Sequence, residues 1–405
     1  MTRELPQPTL EMMRDEKILI DPYLLWVDEE GLPVVEDFGV DLRQVETAPW
    51  ARIEASGAIV HLKGRGDFMS MFVIDIAPGA STAPQRHLYE EVVYVLDGHG
   101  STSIELLDGT THSFEWGPNS VFAIPLNAGY RHFNGSGGET ARLVSGNNLC
   151  IMINLFHDAD FIFDNPAAFP SRFGEAGWFD GDGEMIETQP NRFMWVTNLV
   201  ADVAAFKLEG WENRGGGSSN IRFCLGDGVM HCHSSEMPVG TYKKGHRHGP
   251  DFHVLVVKGA GHSLFWYEGD EDFVRVEWHP GVVFAPPDQM FHQHFNTSAD
   301  PARYLPIACG STRYPLTEAK KKVTLGVDVS VRHGGCQIEY VDQDPRIHGI
   351  FLEALASNGV QSRMGDFIDE TPYREQAPVK AKVPGKAKVP GKAKGPGKAK
   401  VKETP

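Results

Sequence analysis

The segment GHRHGPDFH, residues 245–253, holds three histidines within eight positions. In an extended strand residues i and i+2 face the same way, so His246 and His248 project together while Arg247 projects oppositely. Two neutral imidazoles that converge in this way begin a divalent-metal site. They suit iron, zinc, nickel or copper, leave the ion its full charge, and need a further donor from another strand. His253 keeps step with Leu255 and Val257, which fits a core histidine as well as a ligand. His231, His233, His262 and His279 belong to no such pattern and read as ordinary residues. The five cysteines, Cys150, Cys224, Cys232, Cys309 and Cys336, lie far apart without a CxxC pair, which points to buried thiols in a reducing compartment rather than a zinc-thiolate site.

The elements that must position these side chains are legible because the chain repeats itself. PGASTAPQRHLYEEVVYVLDGHG (78–100) aligns without gaps with VGTYKKGHRHGPDFHVLVVKGAG (239–261), pairing His87 with His248, Gly98 with Gly259 and Gly100 with Gly261. VFAIPLNAGYRHFN (121–134) aligns with VFAPPDQMFHQHFN (283–296), and TARL (140–143) with PARY (301–304). Matched blocks in one order mark a duplicated domain. Within each half, short runs rich in Val, Ile, Phe and Tyr are punctuated by Gly, Pro and Asn, as in EVVYVLDGHG and FVRVEWHPG. Such runs predict antiparallel strands closing into a sandwich or small barrel in each half. Helix is expected only near the ends, around Leu10 to Glu16 and Arg346 to Ala356, the latter stopping at Asn358-Gly359.

These motifs resemble the cupin superfamily, whose first motif runs G, HxH, E, G and whose second runs G, P, H, N at characteristic spacings. The resemblance covers both halves, so the chain is similar to a bicupin. It implies an all-β fold of two tandem double-stranded β-helix (jelly-roll) barrels with short flanking helices. The expected divisions are an N-terminal extension (1–54), a first barrel (55–160), a linker (161–214), a second barrel (215–315), a C-terminal segment with a helix (316–375) and a disordered Lys-rich tail (376–405). Pro287, His292 and Asn296 fit the second motif and imply His292 as the third metal ligand beside His246 and His248. His294, two residues on and facing the same way, is implied as a base or substrate contact, and remains the other candidate for the third position. The motif glutamate is missing: Phe252 aligns with Glu91, although His253 satisfies a longer spacing, so a four-ligand centre like that of oxalate decarboxylases is not expected.

HRH without glutamate, followed by FHQHFN, is similar to the gentisate and salicylate 1,2-dioxygenase group. That likeness implies Fe(II), molecular oxygen and ring cleavage of a hydroxylated aromatic acid by an oxidoreductase, with a homo-oligomeric assembly. Trp266, Phe252, Phe291 and Phe295 are candidates for an aromatic wall, and Arg222 and Arg303 for a carboxylate clamp. The alternatives are a metal-dependent lyase, isomerase or decarboxylase, in which His294 or Glu91 moves a proton, or a non-enzymatic small-molecule-binding bicupin. The first half is eroded, with Gln85 at the first histidine position and Tyr130 at the third-ligand position. Gln85, His87, Glu91 and His132 then make a weaker mixed site. A glutamine oxygen is a poor donor for a borderline ion, which favours a purely structural half.

Composition narrows the partners. The net charge is −16 over 405 residues, and the tail from residue 378 carries +8, leaving −24 on the rest. An acidic body with no helix-turn-helix pattern argues against nucleic acid as the main ligand. No run of about 18 apolar residues occurs and the first residues are charged, so neither a membrane span nor a secretory leader is expected and the cytoplasm is the expected location. The tail, with repeated KAK and PGK units, has almost nothing to bury and reads as a solubilising extension or polybasic arm.

Overall fold

The computed structural model describes residues 8–66, 68–249 and 252–373; the basic tail lies outside the described residues. Each half is a jelly-roll barrel of one large, mostly antiparallel sheet and one small antiparallel sheet. In the first, the large sheet runs Val34–Asp37, Ala55–Leu62, Ser70–Ile76, Ala141–Asn147, Glu91–Asp97, Val121–Ala123 and Leu199–Val200, facing Tyr130–Asn134, Gly100–Glu105 and Thr111–Trp116. The second repeats this order with Arg192–Thr197, Ser219–Leu225, Met230–Met237, Ala302–Cys309, His253–Lys258, Val282–Phe284 and Gly39–Asp41, facing Val274–Trp278, Gly261–Trp266 and Phe291–Asn296.

The last strand of each large sheet comes from outside its own half. Gly39–Asp41, in the N-terminal extension, pairs with Val282–Phe284 of the second barrel, while Leu199–Val200, in the linker, pairs with Val121–Ala123 of the first. Just before each crossing, a strand lies parallel to its own barrel's sheet: Val34–Asp37 on Ala55–Leu62, and Arg192–Thr197 on Ser219–Leu225. The extension and the linker are therefore equivalent arms, exchanged reciprocally.

Side-chain alternation explains why the large-sheet strands read as continuous apolar runs, since both faces are buried. In the first barrel Ile59, Phe72, Val93 and Leu143 point inward. Their neighbours Val60, Val73, Val92 and Val144 point out, against Ile221, Phe223, Leu255 and Ile307 of the second barrel. A shared core plus exchanged strands should make the barrels one cooperative unit. Differential scanning calorimetry is expected to show one transition; two separated peaks would contradict the shared core.

The duplicated residues have local causes. A Cβ at Gly100 would lie 2.0 Å from the Phe133 carbonyl oxygen, and one at Gly261 would lie 1.9 Å from that of Phe295, so neither strand tolerates a side chain there. Asn134 donates to the carbonyls of Ile76, Ala77 and Glu139, and Asn296 does the same to Met237, Pro238 and Asp300, tying the HFN strand to the turns beside it.

Helix is not confined to the ends. Besides a π-helical turn at Met12–Glu16, Pro22–Glu30, Leu149–Phe156, Ala159–Phe163 and Glu318–Gly326 are helical. The apolar run LCIMINLF is too short for its period to separate a strand from a buried helix, and helix wins at Leu149–Phe156 because Leu149, Cys150 and Ile153 reach the first barrel's core. Pro345–Asn358 is helical where expected, capped by Asp344 and by Gly359 at φ +66°. Its Ile347, Ile350, Phe351 and Leu355 cover the outer face of the second barrel's small sheet.

A three-imidazole centre in a cationic cavity

The HRH segment is stitched to the strand Phe291–Asn296. His246 N–H donates to the His292 carbonyl at 3.0 Å, the His246 carbonyl accepts from His292 N–H at 2.8 Å, and the His248 carbonyl accepts from Gln289 N–H at 2.9 Å. Directly opposed residues put their side chains on one face. Thus His246, His248 and His292 bring their ring nitrogens within 4.8 Å of one another, and all three are buried. The Nε2 atoms of His246 and His292 are 3.2 Å apart. Two donors each about 2.1 Å from one ion, at right angles, stand about 3 Å apart, so the spacing fits a single divalent cation.

Second partners fix two of the three rings for ligation. His248 Nδ1 donates to the Gly249 carbonyl at 2.7 Å and His292 Nδ1 to that of Met290 at 3.1 Å, which leaves both Nε2 lone pairs bare. His246 differs, because its Nδ1 faces the Arg214 guanidinium at 2.7 Å. Burial, reinforced by Arg214, holds His292 down to about 3, and burial pushes His246 and His248 well below the ordinary imidazole value. All three are therefore neutral, as ligation requires.

His294 stands beside the triad but outside the close group. Its Nδ1 bonds Ser263 Oγ at 2.7 Å, and that hydroxyl accepts from Trp278 Nε1 at 3.0 Å. The first barrel repeats the arrangement with His132, Thr102 and Trp116. His253 lies on the opposite face of its strand, with Leu255 and Val257, toward the first barrel and His61.

The triad opens into a cavity of about 80 Å³. It is lined by Arg222, His231, His233, Ser235 and Tyr304 of the large sheet, by Phe252, and by Lys320 and Val323 of the helix Glu318–Gly326. His231 and His233, read from sequence as ordinary, belong to the site: they bond each other at 2.7 Å and bring the cavity to six imidazoles. The alternation His231, His233, Ser235 in MHCHSSEM was the signal for this, since a strand puts all three on one face.

Four cationic side chains reach the cavity, from Arg214, Arg222, Lys243 and Lys320, and among the described residues no Asp or Glu lines it. Arg214 had no sequence signal, being a lone charge outside any motif, and Lys243 stands beside Lys244 ahead of HRH with nothing to mark which of the two turns inward. Lys243 is buried, donates to Ser235 Oγ and lies 4.9 Å above the Tyr304 ring; among the described residues it has no carboxylate in ion-pair range. Burial drives its ammonium well below the usual lysine range. Replacing a buried, unpaired charge by an apolar chain of similar volume removes a desolvation cost, so Lys243→Met should raise stability by about 1–4 kcal/mol while weakening retention of an anion. Urea unfolding measures this; a clear loss of stability would mean that the charge is compensated.

Of the aromatic candidates only Phe252 lines the cavity. Trp266, Phe291 and Phe295 instead pack under the C-terminal helix, because their strands turn them to the outer face of the small sheet. Arg222 lines the cavity, whereas Arg303 pairs with Glu236 at 2.8 Å and is spent between the barrels.

In the first barrel Gln85 and Tyr130 occupy the backbone positions of His246 and His292, bridged in the same way. The Tyr130 hydroxyl lies 3.2 Å from Gln85 Oε1, 3.0 Å from Glu91 Oε1 and 3.0 Å from His87 Nε2. Ser145 donates to the other Glu91 oxygen at 2.6 Å. Burial pushes the Glu91 carboxyl up, but the His87 bond and charge and the Ser145 bond outweigh it and bring it to about 2. Gln85, His87 and Glu91 thus meet around a phenol, with His132 set apart on Thr102. Among the described residues the compact three-donor group is the one in the second barrel.

Fold and site together define a tandem jelly-roll protein with a three-imidazole centre in its second barrel. No family model and no curated protein matches the chain. Solved structures similar to it include the formate complex of Lactobacillus farciminis oxalate decarboxylase, at 11% identity and TM-score 0.46 over 72% of this chain and 91% of that one. The SENS161-164DSSN mutant of Bacillus subtilis oxalate decarboxylase OxdC matches at 13% identity and TM-score 0.45, covering 76% of this chain and 85% of that one. Likeness at this level adds no argument about chemistry, and the architecture rests on the strand order and register described above. Among the described residues no helix is long and apolar enough to cross a membrane.

Proposed function

We propose that the chain is a metal-dependent enzyme of the bicupin type whose second barrel acts on a small anionic acid. The observation that carries this reading is the conjunction of three converging neutral imidazoles with a cavity lined by cations and, among the described residues, by no carboxylate. His246, His248 and His292 hold the ion, with Fe(II) as the first candidate, and a bound divalent ion supplies Lewis-acid polarisation and open positions for reactants. The cationic walls select an anion and orient it. Phe252 and Tyr304 line the cavity and offer flat apolar contact, which supports a hydroxylated aromatic acid of the gentisate or salicylate kind as substrate and oxygen-dependent ring cleavage as the reaction. His294, held through Ser263, faces the reactant space and is the candidate proton carrier.

A second reading, a decarboxylase or other lyase, is favoured by one feature. Lys243 is an ammonium whose proton burial loosens, placed in the cavity where a carbanion formed by loss of a carboxyl group would need protonation. One experiment separates the two. The iron-loaded protein is offered hydroxybenzoates and small keto acids with and without air. Oxygen uptake matched to loss of aromatic absorbance supports ring cleavage, and equal turnover under strict anaerobiosis replaces it with the lyase. Absence of stoichiometric metal after loading would remove both.

A further inference from the structure

The contact between Arg214 and His246 conflicts with metal binding by a neutral His246. A guanidinium carries only donors, so at 2.7 Å His246 Nδ1 must be the acceptor, and the single proton of the neutral ring then sits on Nε2. That Nε2 lies 3.2 Å from His292 Nε2, which is bare because the His292 proton is committed to the Met290 carbonyl. The four groups form one consistent chain in which Arg214 donates to His246, His246 to His292 and His292 to the backbone. A nitrogen that carries a proton has no lone pair for a cation.

Arg214 is also placed to be drawn away. It is buried, and its other bonds, to Gln337 Oε1 at 2.6 Å and the Val327 carbonyl at 3.4 Å, go to neutral acceptors. No carboxylate among the described residues pairs with it, yet it lines the cavity. A carboxylate entering there would accept from the guanidinium and from an Nδ1–H of His246 at once. We propose that Arg214 is a positioning residue that couples metal loading to the binding of a carboxylate: alone it holds His246 in the tautomer that blocks Nε2, and a carboxylate ligand releases the ring to the tautomer that ligates. This rests on the reading of the triad as a metal centre. Linkage makes the effect reciprocal, so metal strengthens carboxylate binding by the same factor as carboxylate strengthens metal binding.

The test uses the full chain, Zn²⁺ as a redox-silent metal and benzoate as a non-chelating carboxylate. In the metal-free wild type, long-range ¹H–¹⁵N spectra of ¹⁵N-histidine protein should show His246 protonated on Nε2 and His248 and His292 on Nδ1. Saturating benzoate should tighten Zn²⁺ roughly tenfold, the scale on which partners of metal ligands act. Arg214→Gln, whose side-chain carbonyl accepts from Nδ1–H, should bind Zn²⁺ roughly tenfold more tightly than wild type without benzoate and lose the benzoate effect. His246 already protonated on Nδ1 in the metal-free wild type, unchanged or weaker Zn²⁺ binding by folded Arg214→Gln, no benzoate effect in the wild type, or an undiminished one in the variant would each overturn the coupling. Should Arg214→Gln not fold, the wild-type spectra and benzoate titration decide. Failure of wild-type protein to bind Zn²⁺ at all would instead overturn the metal centre itself.

Discussion

Alanine at His246, His248 or His292 should weaken retention of a divalent metal at least about a hundredfold and abolish turnover with it. Metal binding to full ligand sets is worth on the order of 10 kcal/mol, so one donor in three carries several kcal/mol, and about 3 kcal/mol already exceeds a hundredfold. The neighbours provide the contrast. His294→Ala and His231→Ala remove imidazoles from the same cavity but not from the compact group, so metal content should survive in both, and turnover should fall sharply only for His294→Ala. Metal analysis after gel filtration, beside kinetics, reads both quantities. Loss of metal from His294→Ala with retention in His292→Ala would reassign the third ligand, since both project from Phe291–Asn296.

The second large effect is acid lability of the metal-free protein. Burial first, then the charge of Arg65 or Arg222, lowers His61 and His231 to about 3, and burial lowers His132 to about 4. These rings are neutral in the fold but take up protons near pH 6.5 once unfolded, so the unfolded state binds more protons below that pH and stability falls as pH falls. Each such ring contributes about 1.4 kcal/mol per pH unit, or about 4 kcal/mol per unit for the three. Glu91, held at about 2 in the fold, adds a loss of the same sign once pH drops below the ordinary carboxylate value of 4.5. Against a usual stability of about 5–15 kcal/mol, the native state should be gone near pH 4. Near-UV circular dichroism with a chelator present measures it; a native spectrum at pH 4 would mean that the buried rings are charged or less buried than described.

The frame was legible because glycines, prolines and asparagines recur at one spacing, and Gly100, Gly261, Asn134 and Asn296 have geometric duties that explain their recurrence. The facing of His246 and His248 followed from alternation along an extended segment, whereas His292 was named only by its likeness to the family's second motif, because alternation along FHQHFN turns His292 and His294 to the same side. The rest of the cavity was not legible. Arg214 comes from a turn in what reads as linker, Lys320 from a helix beyond the barrel, and Lys243 is one of two neighbouring lysines in a loop. No period links them, and only the tertiary fold brings them together. His231 and His233 are a different case: their alternation was present in the sequence, but without a motif around it a half-buried strand and a cavity wall look alike.

The exchanged arms bear on how such a chain arises. Two copies of one half, each lending its leading segment to the other, would make a two-fold swapped dimer, and this polypeptide has that plan with the copies joined end to end. Once joined, neither copy is dispensable as scaffold, because each finishes its sibling's sheet whichever of them carries the compact donor group. Gln85 and Tyr130, standing where the second barrel has His246 and His292, therefore leave intact the framework on which the second barrel's centre is built.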